Sequence, residues 1–187
     1  RQLDARSAEE EMILLLKADI PRGGVGYNAP TPEQAIANDY DKPRIKWHGL
    51  TIAIENPAGT VRSGIDETGR AWSTTFRYAY GEVVGTVGMD GDAVDVFMGL
   101  NAEAPEVYIV RQMKRKKWNQ PDEDKCFLGF TSMDEAKAAY LAHYDDPRFF
   151  GSIIAMPRDE FIAKVRATAK HPGMLKSVLF MRRATSR

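Results

Sequence analysis

Asp90-Gly91-Asp92-Ala93-Val94-Asp95-Val96-Phe97-Met98 places three carboxylates around a glycine and then runs directly into an apolar, β-prone segment. Crowded carboxylates raise one another's pKa unless a cation or a buried positive group offsets them. Hard divalent cations such as Mg2+ take oxygen ligands, bind one or two carboxylates, and keep several waters alongside substrate phosphates. A turn delivering Asp90 and Asp92, followed by a strand presenting Asp95, can supply such a site. An EF-hand is excluded, because the glycine comes too early and no glutamate closes a twelve-residue frame. The plainer alternative is a polar turn entering a strand, since Asp and Gly are ordinary turn residues.

Outward from that segment, the chain reads as β-rich. Leu50-Thr51-Ile52-Ala53-Ile54-Glu55 alternates as a half-buried strand, and Asn56-Pro57-Ala58-Gly59 ends it. Strands are expected over 61–64, 71–75, 94–98, 107–110 and 126–130, which points to an antiparallel sheet or a small closed barrel. Helices start at three capping signals: Ser7-Ala8-Glu9-Glu10, Thr31-Pro32-Glu33-Gln34 and Ser132-Met133-Asp134-Glu135. A last helix is expected over 157–170, with Phe161, Ile162 and Val165 on one face. Residues 21–30 are rich in turn formers and read as a loop or linker.

The 187 residues, 43% of them hydrophobic, fit one globular domain with peripheral elements. Twenty-six basic residues balance 26 acidic ones, which argues against a strongly electrostatic binder of nucleic acid or membrane. The basic run Lys114-Arg115-Lys116-Lys117-Trp118 could track phosphates and stack a base, but it reads better as a solvated hairpin loop. The single Cys126 has no internal disulfide partner, and it and the three histidines lack zinc-ligand spacing. The longest apolar run, Met12 to Leu16, is too short to span a bilayer. A chain opening at Arg1 reads as a fragment, a processed product or part of something larger.

Around the three aspartates stand other groups suited to phosphate chemistry: Glu55, Arg62, Tyr80-Gly81 and Asp122-Glu123-Asp124-Lys125. Glu55-Asn56-Pro57-Ala58, Tyr80-Gly81 and Asp90-Gly91-Asp92-Ala93-Val94-Asp95-Val96 resemble, in order and spacing, the motifs of the family I inorganic pyrophosphatases. The chain is more closely similar to pyrophosphatase-like domains of phage and mobile-element (polyvalent-type) proteins. That likeness is carried by Gly49 to Pro57, Arg62-Ser63-Gly64, Gly85 to Phe97, Asp122 to Lys125, Leu128-Gly129-Phe130, Ala139-Tyr140-Leu141 and Phe161.

The resemblance implies an α+β, mainly β fold: a small closed OB-like barrel with peripheral helices and an N-terminal helical arm. The expected division is an arm over 1–42, the barrel domain with its C-terminal helices over 43–170, and a tail over 171–187. It implies Mg2+ as cofactor, with Asp90, Asp92, Asp95, Glu55 and Glu123 as metal ligands. Asp92 would also position the nucleophilic water, Tyr80 would hold the water or phosphate network, and Lys125 and Arg62 would bind phosphate. Arg70 and Arg77 both stand as candidates for a second phosphate arginine. The chain departs from the pattern at Gly64, where the family has a carboxylate, and at Tyr144-Asp145, where it has Tyr-Lys.

The implied function is Mg2+-dependent hydrolysis of pyrophosphate or a related phosphoanhydride, in the cytoplasm of a bacterial host or carried in a virion. The first alternative is a catalytically impaired domain serving as a virion structural or interaction protein. In that reading the apolar N-terminal helix docks onto other phage proteins or a second copy forms a homo-oligomer. The second alternative is a nucleic-acid-binding OB-like barrel built around Lys114 to Trp118.

Overall fold

The computed structural model describes residues 29–37, 39–65, 69–171 and 175. The expected helix at 7–17 and most of the tail lie outside the described residues. The first described helix, α1 (Pro32–Ala37), begins where the capping signal placed it: Gln34 N–H donates to Thr31 Oγ1 (3.3 Å) and Thr31 N–H to Gln34 Oε1 (2.9 Å).

Among the described residues nine strands follow: β1 (Arg44–Trp47), β2 (Leu50–Asn56), β3 (Val61–Ile65), β4 (Ala71–Thr75), β5 (Ala79–Val83), β6 (Val94–Met98), β7 (Glu106–Lys114), β8 (Lys117–Leu128) and β9 (Phe150–Pro157). Seven of them form one mixed sheet in the order β1-β2-β5-β6-β8-β7-β9, while β3 and β4 pair only with each other. All neighbours are antiparallel except β6 and β8, because β7 lies beyond β8 and the chain returns in the direction of β6. Helix α2 (Met133–His143) and helix α3 (Arg158–Thr168) complete the mainly β, α+β fold.

The tight hairpin joining β1 and β2 turns on His48 (φ 43°) and Gly49 (φ 78°), two successive left-handed residues as a type I′ turn requires. The β7–β8 hairpin turns on Arg115 and Lys116, so the basic run is indeed a hairpin loop. Its Trp118 packs edge-on against Phe149 (5.2 Å, 84°) and carries the Arg148 guanidinium over its face, so the ring is engaged within the fold.

The closed barrel is not formed among the described residues: β1 pairs only with β2, and β9 only with β7, leaving two edges. A helix bridges them instead. β9 leads into α3, whose Phe161 meets Trp47 of β1 edge-on (6.4 Å, 71°), and Arg166 Nη2 donates to Gly49 O (3.1 Å). Apolar burial against α3 supplies there what closing strand hydrogen bonds would have supplied.

Strand alternation gives the sheet two distinct faces. One carries Ile52, Ile54, Val83, Val94, Val96, Ile109, Cys126 and Leu128 and packs on Phe161 and Val165 of α3. The other carries Phe97, Tyr108, Val110 and Phe127 and packs on Ala136, Ala139 and Tyr140 of α2. On this second face two rows run across the strands in register, Tyr80–Phe97–Phe127–Tyr108 and Glu82–Asp95–Lys125–Val110. The apolar row ends the core, and the charged row opens the site.

Candidate active site

Lys125 stands at the centre of the charged row, only 5% exposed. Its Nζ donates to Asp95 Oδ2 (2.5 Å), Glu123 Oε2 (2.8 Å) and Tyr80 OH (3.1 Å). The contacts follow from register: Asp95 is its partner on parallel β6, Glu123 lies two residues back on the same face of β8, and Tyr80 arrives from β5. Glu123 is fixed further by Gln112, whose Nε2 donates to Oε1 (2.8 Å) and whose Oε1 accepts from Tyr140 OH (3.0 Å). Burial works against the charge on Lys125, yet the oxygens around it, the Asp95 and Glu123 carboxylates among them, outweigh it and hold its pKa well above the usual lysine value. Burial pushes the Tyr80 hydroxyl well up, so it stays a neutral donor. Burial also raises Glu123; Lys125 opposes that rise and the Asp95 carboxylate adds to it.

A second lysine extends the row. Lys42 Nζ donates to Glu55 Oε1 (2.7 Å) and Glu82 Oε1 (3.1 Å), and Glu82 is the strand partner of Asp95. Burial works against the Lys42 charge as well, but the two carboxylates prevail and its pKa is raised. The sequence reading missed both Lys42 and Glu82. Glu82 was legible in principle, two residues after Tyr80 on the same strand face. Lys42 carries no local signal.

Above Lys125 opens a cleft of about 430 Å3. Arg62, Arg70, Trp72 and Thr74 of the β3–β4 hairpin line it, with Arg115, Gln112, Tyr80, Glu123, His143, Tyr144, Asp145 and Phe149. Its charged lining comprises four cations (Arg62, Arg70, Arg115, Lys125) and two carboxylates (Glu123, Asp145), an excess suited to an anion. Of the two arginine candidates, Arg70 lines this cleft and Arg77 does not. Arg115 sits where Nη2 reaches Asp145 Oδ1 (3.2 Å) and its guanidinium lies over Phe149 (4.8 Å). Burial raises the Tyr144 hydroxyl to about 12.

The aspartates of the opening segment are less gathered than expected. Asp95 joins Lys125, whereas Asp90 and Asp92 stand exposed on the turn. Asp90 Oδ1 accepts from Asp92 N–H (3.1 Å), an ordinary side-chain cap of a turn. Asp90 also lines a small depression of about 10 Å3 with Asp95, Glu123 and Asp124, and Asp92 lines neither cavity.

His143, at the C-terminal end of α2, anchors the base of the β3–β4 hairpin. Its Nδ1–H donates to Ala139 O (2.6 Å), which leaves Nε2 to accept from Arg77 N–H (3.2 Å). Burial holds its pKa below the ordinary 6.5. With the folded value depressed, the unfolded chain binds more protons in that window, so stability is present above about pH 6.5 and is lost as pH falls. The His143 contribution to the melting temperature should therefore be lost between about pH 7 and pH 5, against the opposite contribution of the raised Glu123. His143→Gln should thus change the slope of melting temperature against pH in that window. An unchanged slope in the variant would remove His143 as the cause.

The fold and cleft define a mainly β domain with a lysine-floored, arginine-rimmed cleft on one sheet face. The family model described as Inorganic Pyrophosphatase (InPase) matches residues 32–166. The chain belongs to the inorganic pyrophosphatase family. No curated protein matches it. Among solved structures it is similar to the crystal structure of an inorganic phosphatase from Anaplasma phagocytophilum, at 18% identity over 75% of each chain. The TM-score is 0.25, and a likeness of that size carries no argument.

The family implies a divalent metal. Among the described residues no three of His, Cys, Asp and Glu stand so as to hold one. The acids of the row face lysines instead: Asp95 and Glu123 share Lys125, and Glu55 and Glu82 share Lys42. As arranged, these side chains do not fit a resident cation. No described helix is long and apolar enough to cross a membrane.

Proposed function

We propose that this domain hydrolyses inorganic pyrophosphate or a related phosphoanhydride. The observation that carries the reading is Lys125, fixed by three oxygen partners at the floor of a cleft rimmed by Arg62, Arg70 and Arg115. Preorganised cations act where phosphate charge develops, and they need no reorganisation as the bond breaks. The Tyr80 hydroxyl, which accepts from Lys125 and keeps its own O–H to donate, meets the phosphate held deepest, with Lys125 acting through it and by its charge. The arginines orient the other phosphate and offset the negative charge that builds on the leaving group. Water supplies the new P–O bond, and the bridging P–O bond breaks to give two phosphates.

The resemblance adds Mg2+ bound through Asp90, Asp92, Asp95, Glu55 and Glu123; Glu55, Asp95 and Glu123 would have to leave their lysines to reach it, and Asp92 would direct the water. It also adds a phage or mobile-element setting, inside a bacterial host or a virion, with 1–42 as an arm attached to the domain over 43–170. These belong to the proposal. Gly64 and Tyr144-Asp145, where an acid and a lysine are missing from the family pattern, support a second reading, a domain that binds phosphate without turnover. Phosphate release from pyrophosphate, measured with and without Mg2+ on the wild type and Asp92→Asn, separates the two. The first reading expects Mg2+-dependent release that falls about 100-fold or more in the variant. Absence of release under every condition would leave only the second.

A further inference from the structure

The β3–β4 hairpin presents a cation, an aromatic ring and a second cation to the cleft: Arg62, Trp72 and Arg70. Trp72 is the cross-strand partner of Gly64, the position where the family pattern has a carboxylate. A Cβ at Gly64 would fall 2.8 Å from Trp72 Cζ2 and 2.9 Å from Cε2, so the indole lies directly against the bare glycine backbone. Any side chain at 64, a carboxylate included, would displace the ring. The indole seated on Gly64 gives the rim a flat apolar surface that remains 36% exposed.

Pyrophosphate has no apolar part to use such a surface. The cleft, at about 430 Å3, also lies in the range of sites that enclose drug-sized molecules rather than a small inorganic ion. Bases stack on exposed aromatic side chains with little regard to sequence, because every base has a π-face. We propose that the phosphoanhydride this cleft takes is borne on a nucleoside, a nucleoside di- or triphosphate whose base lies on Trp72 while Arg62, Arg70 and Lys125 hold its phosphates. This deepens the phosphoanhydride reading and rests on it. In the reaction, the oxygen of water bonds to the terminal phosphorus and the bridging P–O bond breaks. The shortened nucleotide leaves with that electron pair, and the proton of water passes to solvent.

Calorimetric titration of the full chain, in buffer containing Mg2+, with imidodiphosphate and with adenosine 5′-(β,γ-imido)triphosphate tests this. The wild type should bind the nucleotide analogue about tenfold or more tightly than imidodiphosphate. Trp72→Ala, and independently the uncharged Gly64→Ala, whose Cβ evicts the ring, should erase that preference and leave imidodiphosphate affinity in place; Trp72→Phe should keep most of it. Equal affinities in the wild type, or a Trp72→Ala variant that weakens both probes alike, would overturn the assignment, and in the first case pyrophosphate would still stand as substrate. Failure of the wild type to bind either probe would remove the phosphoanhydride reading together with this one.

Discussion

Lys125→Met should both destabilise the domain and abolish most phosphoanhydride hydrolysis. Methionine matches the stem in length, so the effect isolates the ammonium group. In its absence Asp95 and Glu123, their side chains 18% and 20% exposed, face one another with no counter-charge. Breaking a buried pair by removing one partner costs about 3–5 kcal/mol, because it strands the other charge. The residual exposure of both acids argues for the lower end, about 3 kcal/mol. Activity should fall by about 100-fold or more, the scale seen when a preorganised donor to a developing oxyanion is removed. Adding Asp95→Asn and Glu123→Gln to Lys125→Met should recover much of the stability, since no carboxylate remains stranded, and none of the hydrolysis. Urea melts and phosphate release measure the two separately. A Lys125→Met protein that melts with the wild type would show that the ammonium is not what neutralises these acids.

Most individual elements were legible because their signals are local. The capping box at Thr31 closes in both directions, whereas at Ser132 only half forms: Glu135 N–H donates to Ser132 Oγ (3.1 Å), but the Glu135 carboxylate accepts from Thr131 N–H (2.7 Å). The alternation over Leu50 to Glu55 became β2, and Phe161 and Val165 became the buried side of α3. β9 was not legible: four of its residues in a row, Ser152 to Ala155, are half-buried, so no period of two is written into Phe150–Pro157. β8 starts at Lys117, well before the apolar residues that announced it, because its first half is polar on both faces. The open sheet edges and the parallel β6–β8 pair depend on where α3 and β7 finally pack, which no local pattern encodes.

The site divides along the same line. Tyr80, Asp95, Glu123 and Lys125 do converge, because strand register alone sets them in neighbouring rows. Lys42 could not be found, since its partners lie 13 and 40 residues along the chain. The turn at Asp90 shows why residue type underdetermines role. A carboxylate two residues before an unpaired N–H is equally a turn cap and a ligand, and here Asp90 caps its own turn. Arg115 was read as part of a solvated loop, and it does lie in the hairpin turn, yet that turn also forms part of the cleft wall.

Gly81→Ala should be as damaging as any change in the charged row, though it removes no functional group. A Cβ at Gly81 would fall 2.1 Å from Ala53 O and 2.9 Å from Ile54 Cα, both backbone atoms with no flexible end to swing aside. The glycine lies mid-sheet, opposite Ile54 on β2 and Val96 on β6, beside the register shift between Ile54 and Asn56. One methyl group must push β5 away from β2, a strain of about 3 kcal/mol or more at the upper end of overpacking costs. Tyr80 precedes it in the chain, and its hydroxyl reaches Lys125 at 3.1 Å. Displacing β5 therefore carries that hydroxyl off the cleft floor, so stability and hydrolysis should fall together. Tyr80→Phe separates the two effects: it deletes only the hydroxyl, should change stability by about 1 kcal/mol, and should still slow phosphate release. The pairing of tyrosine with glycine in this motif then has a physical reason, since the close approach of β2 and β5 is what aims the ring at the lysine. A Gly81→Ala protein that melts within about 0.5 kcal/mol of the wild type would mean that β2 and β5 have room between them, and that the tyrosine is aimed by something else.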